Sequence, residues 1–239
     1  MVEVRGASLF VLLRLAAEEV VYHGRVPDSL LLKALLSKAL GYAILVGSTI
    51  VKVPQLLAVI RARSAAGLSP LSVELETLGY SICTAYGLVL GLPISAYGEV
   101  MGILVQNVVL LGLIYKFQRH SALRPTITAA YLGLWATALA SGAISRSSVA
   151  HAFDFASLLF MVSRVPQILQ SFAAKSTGHL SGITYALNVA GGCARVFTSI
   201  QEGAGAAMLR GALLGASLNA VILFQILYYG RKSARAKTE

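Results

Sequence analysis

Two short stretches place a cation, a proline and a glutamine in the same order inside apolar surroundings: Lys52-Val53-Pro54-Gln55 and Arg164-Val165-Pro166-Gln167. A third cation, Arg195, and two acids, Glu74 and Glu76, also stand in apolar segments. Arginine offers a planar fork of donors and lysine a compact point charge, and both suit an anionic, phosphate-like group. The same residues have a purely structural reading. Lys52 can pair with Glu74 or Glu76, or extend its stem to reach a polar interface.

The segments that carry these residues are those of a membrane protein. The chain is 56% hydrophobic and 13% charged, with a mean hydropathy of +0.74, too apolar for an ordinary soluble domain of 239 residues. A bilayer core takes about 20 mostly apolar residues per helix. Seven such blocks follow one another, centred near Val46, Ile82, Leu104, Leu134, Leu159, Val189 and Leu218. The alternating ten-residue pattern of a membrane β-barrel does not appear. The expected fold is therefore an all-α membrane protein with seven transmembrane helices. Ionisable residues inside such helices cost about 2.5–3.5 kcal/mol each at the bilayer centre. That cost makes Lys52, Glu74, Glu76, Arg164 and Arg195 candidates for function.

A shift of 112 residues superposes Val53, Pro54 and Gln55 on Val165, Pro166 and Gln167. It also superposes Ser64, Leu68, Ser69 and Gly79 on Ser176, Leu180, Ser181 and Gly191. Two repeats of three helices follow, residues 35–118 and 148–230, with residues 119–147 forming a connector helix. One connecting helix leaves both repeats facing the same way, so they are expected to be parallel, with a binding site between them. Each proline kinks its helix, and the backbone group it frees must find a partner; Gln55 and Gln167 are the local candidates, or they face a cavity. Gly79, Gly191 and Gly192 read as close helix packing.

Residues 1–34 read as an interfacial amphipathic helix and linker rather than a cleaved signal, because Glu3 sits in the charged region and no clear small-residue cleavage site follows. Residues 231–239 form a basic tail. Arg61, Arg63, Lys116, Arg119, Arg124, Lys175 and the tail all fall on one side of a seven-span chain. Short-loop Lys and Arg mark the cytoplasmic face, so the C-terminus is expected in the cytosol and the N-terminus in the lumen. The net charge of +10 reflects this bias; scattered over short loops, it forms no nucleic-acid-binding stripe. Cys83, Cys193 and the four histidines lack metal-ligand or disulfide-framework spacing. No phosphate-binding glycine loop or nucleophile elbow stands out, and neither an enzyme nor a bound cofactor is expected.

The paired Pro-Gln motifs resemble the PQ-loop family, similar in fold to the SWEET sugar transporters and the KDEL receptors. "LLSKALGYAILVGSTIVKVPQ", "RSAAGLSPLSVELE" and "ARVFTSIQE" resemble its dolichol-utilisation branch. The resemblance covers roughly residues 35–230 and implies an endoplasmic-reticulum membrane protein needed for lumenal use of dolichyl-phosphate-mannose and dolichyl-phosphate-glucose. These lipids serve N-glycosylation, GPI-anchor synthesis and protein mannosylation. The C-terminal "RAKTE" resembles a cytosolic retrieval signal. On this reading Lys52, Arg164 and Arg195 hold the phosphodiester. Glu74, Gln106, Asn107, Asn188 and Asn219 meet sugar hydroxyls, and Pro54, Gln55, Pro166 and Gln167 wall the cavity. The partners are the lipid-linked sugars, membrane lipids and dolichol-dependent glycosyltransferases. Translocating the lipid and merely presenting it to transferases are both compatible with the resemblance, and a small-solute carrier is a third reading.

Overall fold

The computed structural model describes residues 7–118, 122–162, 165–177 and 182–235. Among them the regular structure is helical: α1 Leu9–His23, α2 Ser29–Ser48, α3 Val53–Ala62, α4 Pro70–Leu90, α5 Ile94–Phe117, α6 Leu123–Ala140, α7 Arg146–Val162, α8 Val165–Ala174, α9 Gly182–Gln201 and α10 Ala206–Arg235. The chain divides into two compact units, Met1–Phe153 and Asp154–Glu239.

In the first unit Ser8 caps α1 by accepting from the Val11 N–H, and Asp28 caps α2 by accepting from the Leu31 N–H at 2.7 Å. The α1 helix lies against α2 through Leu12, which packs with Leu31 and Ala34, while Phe10, Leu13, Val20 and Val21 stay exposed. Sequence patterning suggests a helix lying on a membrane surface; the structure adds that it is docked on α2.

The break between α2 and α3 is the feature that sets the site. Single-turn bonds run from Thr49, Ile50 and Val51 back to Val46, Gly47 and Ser48, and α3 then restarts with Pro54 in its first turn. A proline there loses nothing, since first-turn N–H groups have no intrahelical acceptor. The helix thus stops and restarts instead of bending around an interior proline. Val59 anchors α3 in a cluster with Ala65, Val73, Leu110, Leu111 and Ile114 from the following loop, α4 and α5. The α2 and α5 helices meet closely: a Cβ added at Gly41 would lie 2.6 Å from the Ser95 carbonyl oxygen. Where α4 faces the start of α5, Gly87 packs on the ring of Tyr97. None of the residues of α6 is buried. Polar hooks hold it instead, among them Trp135 Nε1 donating to Ser81 O at 3.2 Å and the Tyr131 hydroxyl bonded to the Ser81 hydroxyl.

Several helix starts and helix ends of the second unit recur at the offset read from sequence. The α3 and α8 helices each span ten residues, α4 and α9 begin at Pro70 and Gly182, and α5 and α10 begin at Ile94 and Ala206. Arg63 and Lys175 both end their helices with φ 47°, and Gly91 and Gly203 both turn at positive φ. The closing hydrogen bonds recur too: Ser64 N to Val59 O matches Ser176 N to Ser171 O, both at 3.3 Å. Within this unit Arg210 of α10 pairs with Asp154 of α7. Gly192 packs on Ala216 of α10 as glycine packing predicts, but a Cβ on Gly191 would meet nothing within 4 Å, so close approach does not explain that glycine.

Among the described residues, three stretches are apolar and long enough to cross a membrane: Ser29–Ala62, Ile94–Phe117 and Ala206–Tyr229. The first includes the break. Of the other expected spans, α4 carries Glu74 and Glu76, α6 carries Arg124, and α7 has 17 residues.

Candidate functional site

In an unbroken helix the Lys52 N–H would donate to the Ser48 carbonyl, four residues back. Here the side-chain amide of Gln106, from α5, stands between them. The Lys52 N–H donates to Gln106 Oε1 at 2.9 Å, and Gln106 Nε2 donates to Ser48 O at 2.9 Å and Gly102 O at 3.1 Å. One primary amide therefore bridges the donor and acceptor that the break separates. Gln55, the expected local partner, is half-buried and takes no part in this bridge. Pro54 is exposed. The physical reason is reach: an amide on a neighbouring helix can approach the break from outside, whereas Gln55 is carried in the first turn of α3 itself.

With its backbone fixed, Lys52 turns its ammonium to Glu76. Lys52 Nζ donates to Glu76 Oε2 at 2.7 Å, with side-chain exposures of 17% and 38%. Asn107, next to Gln106 on α5, donates through Nδ2 to the same oxygen at 3.4 Å. Asn107 is fully buried, and its Oδ1 has no hydrogen-bond partner among the described residues. Buried acceptors are normally paired. The group thus holds a paired cation, a partly exposed carboxylate and an amide oxygen open to a donor.

Glu74 belongs elsewhere. Arg124 of α6 grips it with two hydrogen bonds, Nε to Oε1 at 2.7 Å and Nη2 to Oε2 at 3.0 Å. The Tyr115 hydroxyl donates to Glu74 Oε1 at 2.7 Å and lies 2.8 Å from Thr128 Oγ1. Of the two acids open as partners for Lys52, the structure selects Glu76; Glu74 ties α4 and α5 to α6.

In the second unit, Arg164 lies outside the described residues, and Pro166 and Gln167 fall in the first turn of α8, with Pro166 exposed. Asn188 is exposed on α9, Arg195 is half-buried on the same helix, and Asn219 is buried on α10 with Nδ2 donating to Gly215 O at 2.8 Å. The repeat offset pairs Lys52 with Arg164, Glu76 with Asn188 and Asn107 with Asn219. That alignment of polar residues was available in the sequence and marks the trio better than the prolines do. Sequence reading passed over Lys38, a lysine only 3% exposed that donates to Ser95 Oγ at 3.2 Å across the contact of α2 with α5.

Residues 36–96 and 155–206 each match the PQ loop repeat. The two copies include both Pro-Gln pairs and the helix starts that recur between the units. Over 186 residues, 78% of this chain and 90% of the relative, the chain is 24% identical to a human protein named Solute carrier family 66 member 3. No solved structure matches the chain. Two matches to the PQ loop repeat thus fall on a chain that is helical through its described residues and carries stretches long and apolar enough to cross a bilayer.

Proposed function

We propose that this protein binds dolichyl-phosphate-mannose and dolichyl-phosphate-glucose in the endoplasmic-reticulum membrane and moves their head groups to the lumenal side for use in glycosylation. The observation that carries the reading is the Lys52–Glu76–Asn107 group at the first Pro-Gln break, a cation beside a buried amide oxygen that lacks a donor. A sugar phosphodiester brings the matching pair, an anionic oxygen and hydroxyls. Support for the lipid class comes from the likeness of "LSKALG…VKVPQ" and "ARVFTSIQE" to the mannose-phosphate-dolichol utilisation defect proteins. In the proposed arrangement the chain crosses the membrane seven times as two parallel three-helix repeats, residues 35–118 and 148–230. The connector is 119–147, the N-terminus is lumenal and the basic tail cytosolic. In the second repeat Arg164, Asn188 and Asn219 stand at the matching sequence positions and, with Arg195, are expected to serve the same ligand. Glycosyltransferases that consume the lipids are the protein partners.

The test uses purified protein in sealed liposomes with a short-chain mannosyl-phosphoryl-lipid, following its arrival on the opposite leaflet. The expected result is acceleration over protein-free vesicles that disappears when Lys52 and Arg164 are both changed to Met. Binding without acceleration converts the reading to that of a factor presenting the lipid to transferases. The human relative bears the name of a solute carrier, which favours a second reading, carriage of a small solute. Uptake of free sugar into the same vesicles, with no effect on the lipid, would establish it.

A further inference from the structure

The cation best placed to receive an anionic ligand already holds an anion. Lys52 Nζ lies 2.7 Å from Glu76 Oε2, and Asn107 Nδ2 reaches the same oxygen at 3.4 Å. We propose that Glu76 is a built-in competitor: it occupies the ammonium of Lys52 when the site is empty, and an anionic ligand binds by taking its place. The proposal rests on the reading that the site takes a phosphodiester lipid, and adds how that site tells an anion from a neutral molecule.

The physical argument is one of charge counting. Lys52 and Glu76 together carry no net charge, and the Lys52 side chain is mostly buried. A phosphodiester oxygen added beside Lys52 with Glu76 still in place would set two anions around one cation. Like charges at that range repel strongly where water is scarce. A carboxylate that swings away leaves the balance unchanged. Glu76 has somewhere to go, because its side chain is 38% exposed. Its departure also frees the Asn107 amide, whose Oδ1 already lacks a donor. A neutral sugar cannot make the exchange: it offers no charge to replace the one that Lys52 would lose, and breaking a half-buried pair without replacement is costly.

Two consequences follow. Exchange of one anion for another is close to balanced, so the ligand is held weakly enough to leave again. The site also discriminates by charge before it discriminates by shape. The repeat itself shows that a neutral residue suits this register, because the position equivalent to 76 is Asn188. Glu76→Asn and Glu76→Gln are therefore reasonable variants of a folded chain.

The experiment measures binding to the full chain in lipid nanodiscs with two probes, a short-chain isoprenyl phosphoryl-mannose and the neutral isoprenyl mannoside of the same length. The wild type is expected to bind the first and not the second. Glu76→Gln is expected to bind the phosphoryl probe about fivefold more tightly, the scale of a partly exposed ion pair. Adding Lys52→Met should remove that gain. Glu76→Asn, with the melting midpoint of each variant, guards against misfolding as an explanation. A wild type that binds the phosphoryl probe, with folded Glu76 variants that bind it equally or less well, overturns the competition and leaves the lipid reading standing. A wild type that binds neither probe overturns both.

Discussion

Gln106 Oε1 accepts from the backbone N–H of Lys52 at 2.9 Å, so a side chain on α5 performs the backbone bonding that the first Pro-Gln break gives up. The Nε2 of the same amide serves the Ser48 carbonyl. The cation is thereby fixed to α5 through its main chain, and the direction of its ammonium follows from that attachment.

Gln106→Leu removes the bridge and leaves the Lys52 N–H without its acceptor, while the Ser48 carbonyl keeps the Val51 N–H. The expected cost is about 1–3 kcal/mol of stability. Hydrogen exchange of the Lys52 amide should rise well above that of α3 residues such as Val59. Gln106→Glu keeps an acceptor for Lys52 N–H but loses the donor to Ser48 O, so it should fall between wild type and Leu. Equal exchange in all three proteins would contradict the bridging role.

The pairing of the acids is open to double-mutant cycles. Lys52 with Glu76, and Arg124 with Glu74, should each show favourable coupling. Lys52 with Glu74, and Arg124 with Glu76, should show coupling near zero, since distant pairs without shared partners add. Thermal unfolding of the four single and four double variants decides it.

Neighbouring glycines of α9 should behave in opposite ways. Gly192→Ala places a Cβ 2.9 Å from the Cβ of Ala216, an overpacked contact expected to cost about 1–3 kcal/mol. Gly191→Ala meets open space and should be neutral or stabilising by up to about 1 kcal/mol, the helix propensity gained. Melting midpoints of the two variants give the comparison.

Gly87→Ala drives a Cβ into the ring of Tyr97. Loss of stability is expected, together with rescue when Tyr97 is shortened to Leu. A destabilised Gly87→Ala that Tyr97→Leu does not rescue would place the strain elsewhere.

The repeat was legible because it is written in residues with fixed backbone consequences. Pro54 and Pro166 mark helix restarts, and Ser69, accepting from the Ser72 N–H, caps α4 before Pro70. The partner of Lys52 was not legible. Glu74 and Glu76 stand two residues apart on one helix and so point to different sides. Which of them meets Lys52 depends on the rotation of α4, and that is set by the packing of Val73 against Leu110, Leu111 and Ile114. Gln106 and Asn107 pose the same problem on α5. Adjacent amides there do different work, one at the break and one beside the carboxylate. Lys38 was missed because nothing in the sequence sets it apart from Lys33 on the same helix, and its burial against Ser95 depends on how closely Gly41 lets the two helices approach.

Arg63 and Lys175 close α3 and α8 in the left-handed conformation, where glycine is the usual occupant. Each carries a backbone penalty of about 1–2 kcal/mol that glycine would avoid. In the proposed seven-span arrangement two demands compete at these positions, conformational ease and a positive charge that tells the insertion machinery which end of a helix stays behind. The charged residue occupies both. Arg63→Gly should therefore yield a chain more stable once folded but less uniform in its sidedness, trading the equilibrium of the finished protein against the fidelity of its manufacture.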